Sequence, residues 1–503
     1  MRLMELPFLL GLATAPPAMA AEPEVTFMGL GDLAGGEFDS SAVGVSATGL
    51  VIVGGGTGAS GAQAFRWTLE TGMVAIAGPN TSAYAASADG SVVVGSTVGI
   101  SGPAWRWKDG SIWSLADLTA DGSSFAAGVS GDGSVVVGES QADDGCTAVR
   151  WTSTEEVACL GLLPRANGGR AYDASADGSV AVGSQPVNRC SQTHCYSYSL
   201  AFRWTEESGF TELQDSLGID SVAYGVSADG SVVVGGRGFA PNTTGFEPYR
   251  WTEQVGMVGL GSQFGSGFAY DVSSDGSRIV GSVQAYESDP TAFLWDPTNG
   301  MRILQDVLMA DYGLDLSGWS LTYASGISDD GTTVVGWGTN PSGSEEAWIA
   351  VLPALCADQV DNDGDGLIDF PGDPGCASVT DPFEKDTALL CDDGLDNDED
   401  GFTDFQLGGD EDGDPGCKDP SWLKEDPECQ DGINNDLAAG IDFDGGLSVW
   451  GVAVDEPDPQ CVGTPWSDHE FVPEPNSVAL LLTALAAVRL LVRSRSAGTS
   501  RAS

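Results

Sequence analysis

The sequence predicts an all-β fold: a seven-bladed β-propeller of four-stranded blades over residues 22–353, followed by a small, loop-rich, disulfide-bearing calcium-binding module. Three observations lead there. The stretch Ser87-Ala88-Asp89-Gly90-Ser91-Val92-Val93-Val94-Gly95 has seven copies, starting at Ser46, Ser87, Ser130, Ser175, Ser227, Ser273 and Ser328. They end at Gly54, Gly95, Gly138, Gly183, Gly235, Gly281 and Gly336. The starts lie 41, 43, 45, 52, 46 and 55 residues apart, a period that marks a repeat architecture. Finally, acid is concentrated in one segment: residues 354–471 hold 33 Asp and Glu against three Lys, while the repeat region is close to ordinary.

Within a copy, Asp-Gly between two extended runs signals a hairpin turn, because Gly accepts positive φ and Asp tolerates it. The unbroken β-branched run Val92–Val94 suits a strand covered on both faces. An aromatic-rich strand follows, as in Ala64-Phe65-Arg66-Trp67, Ala104-Trp105-Arg106-Trp107 and Ala201-Phe202-Arg203-Trp204. A fourth strand comes next in six copies: Met73–Ile76, Ile112–Leu115, Val157–Leu160, Phe210–Leu213, Met257–Leu260 and Met301–Leu304. The seventh copy lacks one, and Phe27–Leu33 at the opposite end has the matching pattern. That segment is expected to close the ring and remove its exposed edges. The first copy is degenerate, with Ala47-Thr48-Gly49 replacing the Asp-Gly turn. A parallel β-helix is the main alternative, but regular hairpins at this spacing fit it poorly.

The repeated Trp residues (67, 107, 151, 204, 251, 295 and 348) read as packing between blades rather than as a sugar-stacking ring. The repeated Arg residues (66, 106, 150, 203 and 250) read as ion pairs or hydrogen bonds within or between blades. Strand alternation puts the long segments Ser184–Leu200, Gly236–Pro248, Ser282–Thr291 and Gln305–Ala324 on one face of the propeller. Exposed loop aromatics are candidates for binding. Ligand contacts are therefore expected around Tyr196, Tyr198, Phe239, Phe246, Tyr286 and Trp319. Few carboxylates are expected along the central funnel.

Ten cysteines, an even number, are consistent with disulfides in an oxidising compartment. Cys146 and Cys159 could staple an outer hairpin. Cys190 and Cys195 share a loop with His194, and a loop disulfide suits them better than a metal site, which would lack a fourth ligand. Two histidines leave little room for histidine-dependent catalysis. A net charge of −53 makes nucleic acid and anionic membrane poor partners.

The acidic module, 354–471, contains three cysteine-bounded units: Cys356–Cys376, Cys391–Cys417 and Cys429–Cys461. The first two carry Asp-x-Asp-x-Asp-Gly-x-x-Asp, at Asp361, Asp363, Asp365 and Asp369 and at Asp396, Asp398, Asp400 and Asp404. Calcium takes roughly six to eight oxygen ligands, and carboxylates at this spacing, with Gly at the sharp turn, supply many of them. The third unit begins alike and then departs. The loops resemble EF-hand and thrombospondin type 3 calcium loops, but Gly372 and Leu407 stand where an EF-hand has its last Glu. Pairing Cys356 with Cys376 and Cys391 with Cys417 is the simplest arrangement, although sequence leaves the connectivity open.

Residues 1–20 read as a secretory signal: Arg2, the apolar run Leu6–Ala13, then Ala18-Met19-Ala20 before a cleavage point. Residues 472–495 contain Val472-Pro473-Glu474-Pro475, an apolar run from Val478 to Val492 interrupted by Arg489, and then Arg493 and Arg495. That tail resembles the PEP-CTERM sorting signal of Gram-negative bacteria. The resemblance implies an exosortase-type processing enzyme as partner, transient inner-membrane contact through 478–492, and delivery to the cell surface or medium. Across 25–353, Ser-x-Asp-Gly-x-x-Val-Val-Gly followed by Phe-Arg-Trp resembles the HAF repeat of bacterial extracellular proteins, a family that implies fold and location rather than chemistry. The reading is a non-catalytic binding or structural protein of the surface, with an extracellular polysaccharide or surface protein as partner. The alternative is a propeller enzyme, a polysaccharide lyase or hydrolase using carboxylates and tyrosines.

Overall fold

The computed structural model describes residues 25–357 except 98–101, 120–121, 144, 153, 155, 191–194, 214–218 and 240–244; beyond them it describes 366–378, 381, 384, 389, 391 and 417. Residues 1–20 and 472–495, expected to be a secretory signal and a sorting tail, lie outside the described residues, as do the third cysteine unit and His194. The chain divides into one unit of Met1–Asn362 with Ser378–Pro382 and another of Asp363–Ala377 with Phe383–Ser503.

The first unit is the propeller: seven antiparallel sheets of four strands each. The fourth strands fall where the sequence predicts them, for example Gly72–Pro79, Ser111–Ser114 and Gly256–Gly259. Blade 7 consists of Ser320–Ile327, Thr333–Thr339 and Glu345–Val351, with Thr26–Gly29 as its outermost strand. Thr26 pairs with Val351 and Gly29 with Trp348, so the closure inferred from Phe27–Leu33 is present. Leu30 and Leu33 then bury beside Ile52, Phe65 and Val335, joining blade 1 to blade 7.

Each repeat turn works as a small hydrogen-bonded unit. Ser87 Oγ donates to Asp89 Oδ1, the Ser91 N–H donates to the same oxygen, and the Val92 N–H donates to Ser87 Oγ. Gly90 alone takes the left-handed φ of 64°, while Asp89 serves as the acceptor. In the degenerate first copy the Thr48 hydroxyl meets Ser46 Oγ at 3.2 Å in place of the carboxylate. The residue after each Ser links neighbouring blades: the Ala88 N–H reaches Gly131 O, Gly131 N–H reaches Ala176 O, and Ala176 N–H reaches Ala228 O, at 2.8–2.9 Å. The repeated arginines also act between blades. Arg66, Arg106 and Arg203 donate to the carbonyls of Gly90, Gly133 and Gly230 in the next blade's turn.

The Gly that ends each copy has a steric cause. A Cβ on Gly95 would collide with the Ser82 carbonyl of the inner strand and with the Trp105 ring of the third strand. Of the repeated Trp residues, 67, 151, 251 and 348 are buried while 107, 204 and 295 are half-buried; the third-strand aromatics Phe65, Phe202, Tyr249 and Phe293 are fully buried.

Two stretches read as long loops are ordered differently. Ser184–Leu200 largely forms a hairpin, Val180–Cys190 against Cys195–Thr205, with Cys190 opposite Cys195. The hairpin persists because Val187 faces Tyr198 and both bury against Leu163. Within 305–324, a helical turn over Leu304–Asp311 sinks Leu304, Val307 and Leu308 into the core.

Candidate functional site

The inner strand of every blade slips its register at the same place. Ala83 pairs with Gly95 and Ala85 with Val94, which leaves Tyr84 outside the ladder. The same slip isolates Val43, Ala127, Tyr172, Tyr224, Tyr270 and Ser325. A bulge of this kind re-aims the extra side chain. All seven of these residues line one axial cavity of about 370 Å³.

Four of the seven are tyrosines, and their neighbours extend the aromatic wall. Ring centroids lie 5.0 Å apart for Tyr172–Tyr224, 5.5 Å for Tyr224–Tyr270 and 5.7 Å for Tyr224–Phe268. Phe268 also meets Phe246 at 4.7 Å, and Tyr323 stacks on Trp337 at 4.5 Å. Across the channel Tyr84 sits 4.4 Å from Phe125. Burial raises the phenol pKa of Tyr84, Tyr224 and Tyr270 above its ordinary value, so these hydroxyls stay neutral donors and acceptors. Arg170 lies over the Phe125 ring at 4.4 Å and donates to Glu139 Oε2 through Nε at 2.8 Å, which commits its charge.

Three carboxylates face the same cavity: Asp173, Asp271 and Asp329. Asp173 Oδ1 accepts the Ala174 N–H at 2.8 Å, and its Oδ2 accepts the Val226 N–H of the next blade at 3.0 Å. Asp271 repeats this with Val272 at 2.8 Å and Ile327 of blade 7 at 2.9 Å. Desolvation raises all three. Asp173 is pushed up to about 6, and Asp271 stands well above the usual range, with the Asp173 charge adding to its shift. The expectation of a carboxylate-poor funnel is therefore corrected. The visible signal was the pair Tyr172-Asp173 and Tyr270-Asp271, each just ahead of a repeat Ser; the bulge that turns such residues inward leaves no mark in strand alternation.

The aromatics singled out from sequence separate into groups. Phe239 is 45% exposed and Tyr286 is 92% exposed, as expected of loop residues. Phe246 is half-buried and joins the channel aromatics through Phe268. Tyr198, by contrast, belongs to the core at 7% exposure, because it continues the blade-4 hairpin. Trp319 packs edge-on against Phe27 at 5.1 Å and supports ring closure. Tyr196 lies on the strand Cys195–Thr205 opposite Arg189, and its side chain is outside the described residues.

Of the eight expected calcium ligands, Asp369 alone is described; Asp361, Asp363, Asp365, Asp396, Asp398, Asp400 and Asp404 lie outside the described residues. Asp369 takes a φ of 50°, and its carbonyl accepts the Gly372 N–H at 2.8 Å and the Asp373 N–H at 3.0 Å. Nearby, ligand atoms of Asp373, Cys376 and Glu384 lie within 4.8 Å of one another. Cys376 is disulfide-bonded and offers no thiolate, which leaves two buried carboxylates. The predicted disulfides Cys146–Cys159 and Cys391–Cys417 are both formed.

No protein-family model matches this chain, and no curated protein matches it in sequence. Solved structures do resemble it. An oligogalacturonate lyase in complex with manganese is 12% identical with a TM-score of 0.44, over 66% of this chain and 97% of that one. An oligogalacturonate lyase from Vibrio parahaemolyticus is 12% identical with a TM-score of 0.45, over 66% and 98%. The β-propeller domain of the Trilobed protease from Pyrococcus furiosus is 12% identical with a TM-score of 0.43, over 62% and 94%. At this identity the likeness concerns the fold and goes no further.

Proposed function

We propose that this chain is an exported, non-catalytic binding protein of the cell surface or surrounding matrix. Its propeller receives a carbohydrate in the aromatic-lined axial channel. The observation that carries this is the set of seven bulges, which turn Tyr84, Tyr172, Tyr224 and Tyr270 into one cavity. Concave sites lined by aromatic rings with a few polar groups are where small ligands bind. A tyrosine presents an apolar ring to a sugar face and a hydroxyl to its polar edge. The acidic repeats act as a calcium-stiffened stalk, and the C-terminal tail is handed to an exosortase-type enzyme after transient membrane contact. The export segment and tail support this reading by their sequence pattern; among the described residues no helix is long and apolar enough to cross a membrane.

One observation favours a second reading, a channel enzyme: Asp173 and Asp271 hold raised carboxyl pKa values beside tyrosines. Sites of that kind are also where catalysis is found. Yet both oxygens of each acid accept a backbone N–H, so they also act as interblade clamps. Incubation of the full chain with acidic and neutral polysaccharides separates the two. Retention of polymer without product supports the binding protein, whereas new reducing ends or unsaturated sugars support the enzyme. Absence of both retention and turnover removes the carbohydrate reading.

A further inference from the structure

We infer that the axial channel is built for an organic cation, so that the carbohydrate end it takes is an unsubstituted amino sugar rather than a uronic acid. This rests on the carbohydrate reading above. The wall combines two features that both attract positive charge. Tyr84, Tyr172, Tyr224 and Tyr270 surround the cavity, and the negative face of an aromatic ring attracts an ammonium. Asp173 and Asp271 stand on the same wall, next in sequence to two of those tyrosines, and a cation bound beside them would favour their ionised form.

Nothing on the wall invites an anion. Among the described residues no Lys, Arg or His lines the cavity. The nearest cation in the aromatic cluster, Arg170, lies over the rings of Phe125 and, at 5.8 Å, Tyr172, and is paired with Glu139. A uronate would have to lose water beside two carboxyl groups without gaining a charged partner. The wider field has the same sign. Residues 22–353 carry 38 Asp and Glu against 12 Lys and Arg, so cations are drawn toward the propeller. The cavity is walled by inner-strand residues of all seven blades, which suits the end of a chain better than a segment within it.

The test is calorimetric titration of the full chain at neutral pH and low salt with four probes. These are a tetramer of glucosamine, its fully N-acetylated counterpart, tetragalacturonate and tetramethylammonium. The glucosamine tetramer is expected to bind about tenfold or more tighter than the N-acetylated one, with tetragalacturonate weakest. Tyr224→Leu and Tyr172→Leu are each expected to weaken the glucosamine tetramer several-fold while the melting temperature holds. Equal or tighter binding of the N-acetylated or uronate tetramer would overturn the charge inference and leave the carbohydrate reading standing. Binding of tetramethylammonium alone, lost in Tyr224→Leu, would keep the cation site and remove the sugar. Binding of none of the four would overturn both. Should the leucine variants unfold, competition on the wild-type chain decides: mutual displacement of glucosamine tetramer and tetramethylammonium supports one shared cation site, and independent binding overturns it.

Discussion

The Asp173 carboxylate, on the inner strand of blade 4, accepts the backbone N–H of Val226 on the inner strand of blade 5 at 3.0 Å. Asp271 makes the same bond to Ile327 of blade 7 at 2.9 Å. Two of the interblade seams are thus closed from inside the channel by half-buried acids, in the region where a ligand would sit.

That arrangement gives stability a definite pH dependence. Asp173 titrates near pH 6 when folded, against about 3.9 in an unfolded chain. Between those values the folded state holds more protons, so stability falls as pH rises. The loss is complete above the folded pKa and is at most about 3 kcal/mol for this group, less where channel water reaches it. Asp89, Asp132 and Asp177 act on the opposite limb. Their pKa values are lowered, chiefly by backbone N–H donation from the following Ser, and the stability they add is lost as pH falls below the carboxylate range. The melting temperature should therefore peak at about pH 4, where the two limbs meet at the unfolded carboxylate value. Asp173→Asn should melt lower at the peak and lose less on going to alkaline pH. An unchanged slope in that variant would show that Asp173 is not the titrating group.

Ring closure depends on a short strand. Phe27 lies 5.1 Å from Trp319 and 6.1 Å from Trp348, and its strand pairs with the last strand of blade 7. Phe27→Ala should cost roughly 2–3 kcal/mol in urea denaturation, since the ring is half-buried rather than fully buried. Deleting residues 22–33 should cost several kcal/mol more. Equal denaturation midpoints for the deletion and the intact chain would show that the ring closes without this strand.

Gly95→Ala tests the close approach of strand to strand. Its methyl would meet the Ser82 carbonyl, which is backbone and cannot rotate away. A loss of about 3 kcal/mol is expected. The same change at Gly110, where nothing lies within 4 Å, meets no neighbour and pays only for its φ of 78°, so it should cost less. A loss at Gly95 no larger than at Gly110 would show that the inner strand shifts to make room for the methyl, and that the close approach is not what requires glycine there.

Calcium should order the acidic repeats. Without it the clustered carboxylates repel one another, and the segment has few large apolar side chains to bury. Binding energy then appears as folding energy. Limited proteolysis of the full chain with and without a chelator should release cuts within 354–471 only when calcium is removed, while the propeller stays intact. Identical cleavage in both conditions would reduce the module to an acidic spacer.

Much of the fold was legible because its signals are local. Asp89-Gly90 followed by Val92–Val94 announces a turn and a buried strand, and the missing fourth strand after Trp348 pointed to a partner near Phe27. The channel was harder to read. Tyr172 and Tyr270 face inward because a bulge displaces them, and a bulge depends on pairing with a second strand. The repeat motif begins at its Ser, one residue after each inner strand ends, so Asp173 and Asp271 lie outside it. Tyr198 and Trp319 looked like loop aromatics because their segments are long. Cross-strand pairing with Val187 buries Tyr198, and packing on Phe27 half-buries Trp319; both are long-range facts.

The most direct measurement is hydrogen–deuterium exchange of the full chain with and without the carbohydrate it retains. Binding in the axial channel should slow exchange in inner-strand peptides around Tyr84, Tyr172, Tyr224 and Tyr270 and leave the loop around Tyr286 unchanged. Protection confined to the loops near Phe239 and Tyr286, with the inner strands exchanging as before, would contradict the channel as the binding site.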